Sequence, residues 1–178
     1  MSSLAEPRFC QACGSALQWL EREEDGGPKS RLRCPACGWT LWNNPTPVLA
    51  AVVECVDRGG KVLLARNAAW TGRMFALITG FMEAGETAEQ GIAREVLEET
   101  ALVAEAVELI GVYDFQRMNQ VIIAYHVRAS GEIRLSPELV EYKLLDPPDL
   151  RCWQAGTGLA LADWLRRRGI EPQFLERA

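Results

Sequence analysis

Histidine is almost missing from this chain. A single one, His126, stands among 178 residues, so a metal centre built on several imidazoles is ruled out. No apolar run approaches the roughly 20 residues a membrane-crossing helix needs, and 48% hydrophobic with 24% charged residues suits a folded globular protein. The opening MSSLAEPRF has neither a basic start nor an apolar stretch, so no secretory signal is expected and the chain reads as soluble and cytoplasmic, with no membrane partner. Positive charge is outnumbered, with 19 basic against 24 acidic residues. A formal net charge of -5 argues against broad attraction to nucleic acid, although a local cation can still hold a small anionic substrate. With no repeat or low-complexity segment, one main domain and a small extra module are expected at this length.

Cysteine, by contrast, is well represented and ordered. Four of the six form two C-x2-C pairs, Cys10 with Cys13 and Cys34 with Cys37, and two such pairs suit one tetrahedral zinc ion held by four thiolates. Gly14 and Gly38 follow the pairs, where a backbone turning around a metal needs positive φ. A redox C-x2-C usually opens a helix, whereas CPACGW runs into turn and strand residues. Between the pairs, ALQWLEREEDGGPKSRLR reads as strand, turn at Asp25 to Pro28, strand. Residues 1–46 carry five acids and five bases, so a structural or dimer-forming ribbon is expected, with Trp39 and Trp42 offering a packing surface. The prolines of NNPTP mark a boundary that divides the chain into a ribbon, 1–46, and a main domain, 47–178.

In the main domain, VLAAVVECV and KVLLAR form a hairpin around DRGG, and FALIT is a third strand. AVELIGVYDF and QVIIAYHV are two more, and GEIRLSPELVEYKLL holds a further short one. TGLALADWLRRRG has the period of a closing amphipathic helix, with Arg166, Arg167 and Arg168 as a solvated last turn before Gly169. Mixed strands with one or two long helices suggest an α/β or α+β sandwich around a sheet.

The segment Gly80 to Thr100, GFMEAGETAEQGIAREVLEET, holds six glutamates. Thr87 followed by Gln90 is a capping-box pattern, so a helix is expected from Thr87 through Glu99 or Thr100. On that helix Glu95 meets Glu98 and Glu99, and Arg94 reaches Glu98. Three carboxylates on one face repel unless a cation occupies them, and clustered oxygen ligands favour magnesium or manganese. Gly80, Gly85 and Glu86 bring a tight loop and a further carboxylate to the same place.

These residues resemble the Nudix box, G-x5-E-x7-R-E-U-x-E-E-x-G-U, through Gly80, Glu86, Arg94, Glu95, Val96, Glu98, Glu99 and Leu102. Ala101 stands where that family usually has glycine, so a strained left-handed helix end is expected. The resemblance implies an α/β fold, a Nudix α/β/α sandwich with a mixed sheet preceded by a small four-cysteine zinc ribbon. It further implies hydrolysis of a nucleoside diphosphate linked to another group. Glu95, Glu98 and Glu99 would bind magnesium or manganese with help from the Gly80 carbonyl and Glu86, while Arg94 orients the carboxylates. Two glutamates of SPELVEYKLL, Glu138 and Glu141, are candidates for the general base; Glu141 is preferred, with Glu95 next.

A four-cysteine ribbon before such a domain is similar to the NADH pyrophosphatase branch, whose members cleave NADH, related dinucleotides or ADP-ribose and commonly form homodimers. Those enzymes typically carry S-Q-P-W-P-F-P after the box, where this chain has YDFQRMNQV. Ribbon-bearing relatives without the motif include enzymes linked to ADP-ribose and FAD. Phe115 and Arg117 are the residues of that segment suited to stacking on a base or binding phosphate, with a core position the equal alternative for Phe115. Two alternatives stand beside the dinucleotide reading: a catalytically silent nucleotide-sensing module, and an RNA cap-removing hydrolase. Cys55 and Cys152 are expected as buried thiols, and His126 as structural.

Overall fold

The computed structural model describes residues 6–176, and the chain divides into two compact units, 1–44 and 45–178. In the first unit, strands β1 (Gln18–Glu24) and β2 (Gly27–Arg33) pair antiparallel across a tight turn. Each cysteine pair forms a knuckle of the same design. The Gly14 N–H bonds the Cys10 carbonyl at 2.8 Å and the Gly38 N–H bonds the Cys34 carbonyl at 2.9 Å. Both glycines have positive φ, 75° and 79°, a conformation that costs a residue with a Cβ. Glu24 ties the hairpin by accepting from Arg31 and Arg33, and Arg31 lies over the Trp42 ring.

The second unit is built on β3 (Thr46–Cys55), β4 (Lys61–Asn67), β5 (Ile78–Phe81), helix α1 (Ala88–Thr100), β6 (Val103–Phe115), β7 (Gln120–Ser130) and β8 (Leu139–Leu145). A two-residue strand β9 (Arg151–Cys152), helix α2 (Thr157–Arg167) and a matching β10 (Gln173–Phe174) complete it. The main sheet runs β6-β7-β3-β4-β8, with β5 also paired to β3. It is mixed: β3 and β7 are parallel, the other pairs antiparallel.

Strand β3 explains the layering. Its Val48, Ala50 and Val52 join one core with Ala160, Leu161, Trp164 and Leu165 of α2. Its Leu49, Ala51, Val53 and Cys55 join another with Ile92 and Val96 of α1. A strand covered on both faces reads as a continuous apolar run, and VLAAVV is one. The result is a sheet between two helical layers.

One expectation needs correction and another needs refinement. FALIT is not one strand: Ala76 bridges Ala65 of β4, whereas β5 begins at Ile78, opposite Ala51 of β3. The segment changes partner within two residues because β5 wedges beside β3 where β4 has diverged. The last turn of α2 is exposed as expected but more than merely solvated. Arg167 donates to the carbonyls of Leu109 and Ile110, beside a β6 register shift, and Arg168 donates to Glu54 at 2.6 Å.

Candidate active site

Helix α1 begins as its sequence dictates. The Gln90 N–H donates to Thr87 Oγ1 at 3.2 Å and the Thr87 N–H donates to Gln90 Oε1 at 2.9 Å, a complete capping box. Gly91 lets the helix approach the sheet, since a Cβ there would meet Leu49 Cδ1 at 2.6 Å. At the far end Ala101 is left-handed, φ 60° and ψ 10°, and its N–H reaches the Leu97 carbonyl.

Arg94 organises the acids. Its guanidinium donates to both Glu86 oxygens (3.1 and 2.9 Å), to Glu95 Oε1 (2.9 Å), to Glu98 Oε2 (3.0 Å) and to the Phe81 carbonyl (3.3 Å). Glu86 also accepts from the Glu83 N–H at 2.7 Å, fixing the loop that feeds the helix. The Arg94 bonds hold the Glu86 carboxyl below the ordinary carboxylate range and push the guanidinium up. Gly80, on β5, leaves room for the Glu95 carboxylate: a Cβ there would collide with its carbon and displace it.

The remaining wall comes from the segment after β7. The Arg134 N–H bonds the Thr100 carbonyl and the Ser136 N–H bonds the Glu99 carbonyl, at 2.9 and 3.0 Å. Ser136 Oγ then accepts the Glu138 N–H. The last turn of α1 thus positions Glu138, and Glu95, Glu98, Glu99, Ser136, Pro137 and Glu138 line a cavity of about 250 Å³. Burial, with the charges of Glu95, Glu138 and Glu98, pushes the Glu99 carboxyl up to about 7. Burial raises Glu95 as well, against the pull of Arg94.

The donor set fits hard divalent cations. Carboxylate oxygens line a space that admits an ion with its waters, the mode magnesium prefers, and the buried Glu99 has no cationic partner among the described residues. In the ribbon the fit is to zinc. Cys10 Sγ lies 3.6 Å from Cys37 Sγ and Cys13 Sγ lies 3.5 Å from Cys34 Sγ, with all four within 4.8 Å of one another. A tetrahedron with Zn–S near 2.3 Å has edges of about 3.8 Å.

The structure therefore gathers Gly80, Glu86, Arg94, Glu95, Glu98 and Glu99 around one helix and loop, but separates the other candidates. Glu141 lies on β8 opposite Arg66, whose Nε it accepts from at 3.3 Å, and does not line the cavity. Phe115 packs on the α2-side core, with Arg117 Cζ 5.5 Å from its ring centroid, and neither lines the cavity. Sequence reasoning misses Ser136, to which only the turn chemistry of SPE points. It also misses the Phe81 carbonyl, which accepts from Arg94 Nη2 at 3.3 Å. His126 is buried, its Nε2 2.6 Å from Glu54 Oε2 and its ring against Trp164. Burial raises Cys55 and Cys152, in opposite cores, to about 11.

Comparison with known proteins gives two family matches. A profile described as NUDIX domain matches residues 45–167, and one described as Nudix N-terminal, a zinc ribbon, matches residues 8–42. Among curated proteins, the NAD-capped RNA hydrolase NudC of Pseudomonas aeruginosa is 32% identical over 127 residues, 71% of this chain and 42% of that protein. The protein of the same name from Pseudomonas putida GB-1 is 28% identical over 97% of this chain and 61% of its own length. This chain thus spans about half the length of the curated relatives it matches. Among solved structures, a NUDIX hydrolase from Nitrosomonas europaea superposes with a TM-score of 0.71 at 26% identity, covering 96% of this chain and all of that one.

Proposed function

The chain belongs to the Nudix family, and on that premise we propose that it is a metal-dependent pyrophosphohydrolase acting on a dinucleotide such as NADH, yielding AMP and the reduced mononucleotide, or on a related ADP-ribose or FAD-type substrate. One observation carries this reading: four glutamates, Glu95, Glu98, Glu99 and Glu138, line one cavity, and among the described residues a single cation, Arg94, is paired with any of them, at Glu95 and Glu98. A partly compensated cluster is costly to hold unless a cation enters, and a diphosphate is the anion that such cations recruit.

In this reading Glu95, Glu98 and Glu99 hold magnesium or manganese, assisted by the Gly80 carbonyl and Glu86. Bound cations would neutralise the diphosphate and make the attacking water more acidic. Arg94 locks Glu86, Glu95 and Glu98 in one orientation. Glu138, at the cavity wall, accepts the proton of the attacking water at its carboxylate. We assign it this role in place of Glu141, which is held by Arg66 outside the cavity. The water oxygen bonds to phosphorus, the bridging P–O bond breaks, and one nucleotide leaves as its phosphate. Residues 1–46 serve as a zinc-held ribbon and 47–178 as the catalytic domain, in a cytoplasmic homodimer.

A second reading is favoured by the names of the relatives: removal of a NAD cap from RNA is the same cleavage with RNA attached. The test of both is kcat/KM with magnesium over NADH, NAD, ADP-ribose, FAD and NAD-capped RNA. Cleavage of free dinucleotides supports the first reading, and a preference for capped RNA that weakens steeply with salt supports the second. No turnover of any of them would overturn both and leave a nucleotide-sensing module.

A further inference from the structure

The loop between β4 and β5 starts at the cleft. Its first residue, Ala68, donates its N–H to the Glu138 carbonyl at 2.8 Å, and Glu138 is cavity wall. The chain then turns at once: the Ala69 N–H bonds Asn67 Oδ1 at 2.9 Å and the Trp70 N–H bonds the Asn67 carbonyl at 3.2 Å. At the other end Phe75 packs on the α2-side core beneath Lys143, whose Nζ is 4.1 Å from the ring centroid. The loop is thus anchored at both ends, yet Trp70 and Met74 between them remain 37% and 57% exposed.

Charge sharpens the point. Arg94 is saturated by Glu86, Glu95, Glu98 and the Phe81 carbonyl, so it has no donor to spare for a substrate. Arg73, three residues from Trp70, makes no hydrogen bond or ion pair with any described residue. An unengaged guanidinium three residues from an exposed indole, on a loop rooted at the cleft, matches the two halves of a nucleotide: phosphate charge and a planar base. The Phe115 ring is packed against the α2-side core, and Arg117 lies over that ring.

We propose that Trp70 and Arg73 form the specificity element of this enzyme, Trp70 stacking on a base of the dinucleotide and Arg73 pairing with its diphosphate. The proposal rests on the nucleotide reading above. Its test is binding of a methylene-bridged NAD analogue, which cannot be hydrolysed, to the magnesium-loaded full chain by calorimetry, with hydrolysis of NADH measured in parallel. W70A and R73Q should each weaken binding about tenfold, as expected for loss of one stacking or charge-paired contact, with unchanged melting temperatures, and W70F should bind within about threefold of wild type because the stacking ring is kept. Methylenediphosphonate, which has no base, should lose affinity with R73Q and not with W70A. Wild-type affinity in W70A and R73Q, or equal loss of the base-free probe in W70A, overturns the loop assignment even where wild type hydrolyses NADH. A wild-type chain that neither binds the analogue nor hydrolyses any dinucleotide overturns both this and the function it rests on.

Discussion

The two faces of the main sheet each carry a partly buried acidic centre, and they are solved in opposite ways. On the α2 face Glu54 accepts from His126 and Arg168, both at 2.6 Å, and Arg168 also lies over Trp164. Burial pulls the His126 pKa down. On the α1 face Glu99 is buried but meets Glu95, Glu98 and Glu138, and its carboxyl rises to about 7. A charge with its partners supplied by the fold is structural. One left facing like charges is held ready for something the fold does not supply.

The largest expected effects come from exchanging one acid on each face. E99Q should lower kcat/KM at least about 100-fold, roughly 2.7 kcal/mol of transition-state stabilisation, while making the metal-free protein more stable at neutral pH by relieving like-charge repulsion. E54Q should do the reverse, leaving kcat/KM within about threefold and costing roughly 1 to 3 kcal/mol in a denaturant melt. Loss of activity in E54Q, or retention in E99Q, would erase the distinction between the faces.

The pH dependence follows from the same acid. The folded Glu99 binds its proton more tightly than an unfolded glutamate, so over the interval from the ordinary 4.5 to about 7 the folded state holds more protons. The metal-free protein should therefore lose stability as pH rises through that window. E99Q should flatten the slope, and saturating magnesium should offset the loss. Melts at a series of pH values, with and without magnesium, check this.

The ribbon provides an independent contrast, because its cysteines have already converged to ligand spacing whereas the carboxylates have not. One zinc per chain is expected, and C34S should abolish its retention while the main sheet keeps its far-ultraviolet signal. A C34S protein that retains a full equivalent would remove the ribbon from the account. The smallest expected effect is A101G, a gain of about 1 kcal/mol from relieving a left-handed alanine. No gain in the melting curve would mean that the loop bonded to the Glu99 and Thr100 carbonyls already compensates.

Much of this was legible because it is local. The capping box, the spacing of Glu95, Glu98 and Glu99, the Ala101 end and the cysteine knuckles depend on residues a few positions apart. What was not legible depends on pairing across the chain. Choosing between Glu138 and Glu141 requires the contact between residues 134–136 and the end of α1, which no short-range pattern encodes. Arg167 and Arg168 read as a solvated turn because the β6 carbonyls and Glu54 that bind them are more than fifty residues away. The root of the loop that carries Trp70 and Arg73 is likewise set by the Ala68 bond to Glu138.

The most direct test is manganese binding followed by electron paramagnetic resonance, on wild type and on E95Q/E98Q/E99Q, with and without the methylene-bridged analogue. The account predicts micromolar-range manganese binding by wild type that tightens when the analogue is added, and none by the triple variant. Equal binding by both proteins, or manganese affinity indifferent to the analogue, would contradict the claim that the acid-rich face exists to hold cations for a diphosphate.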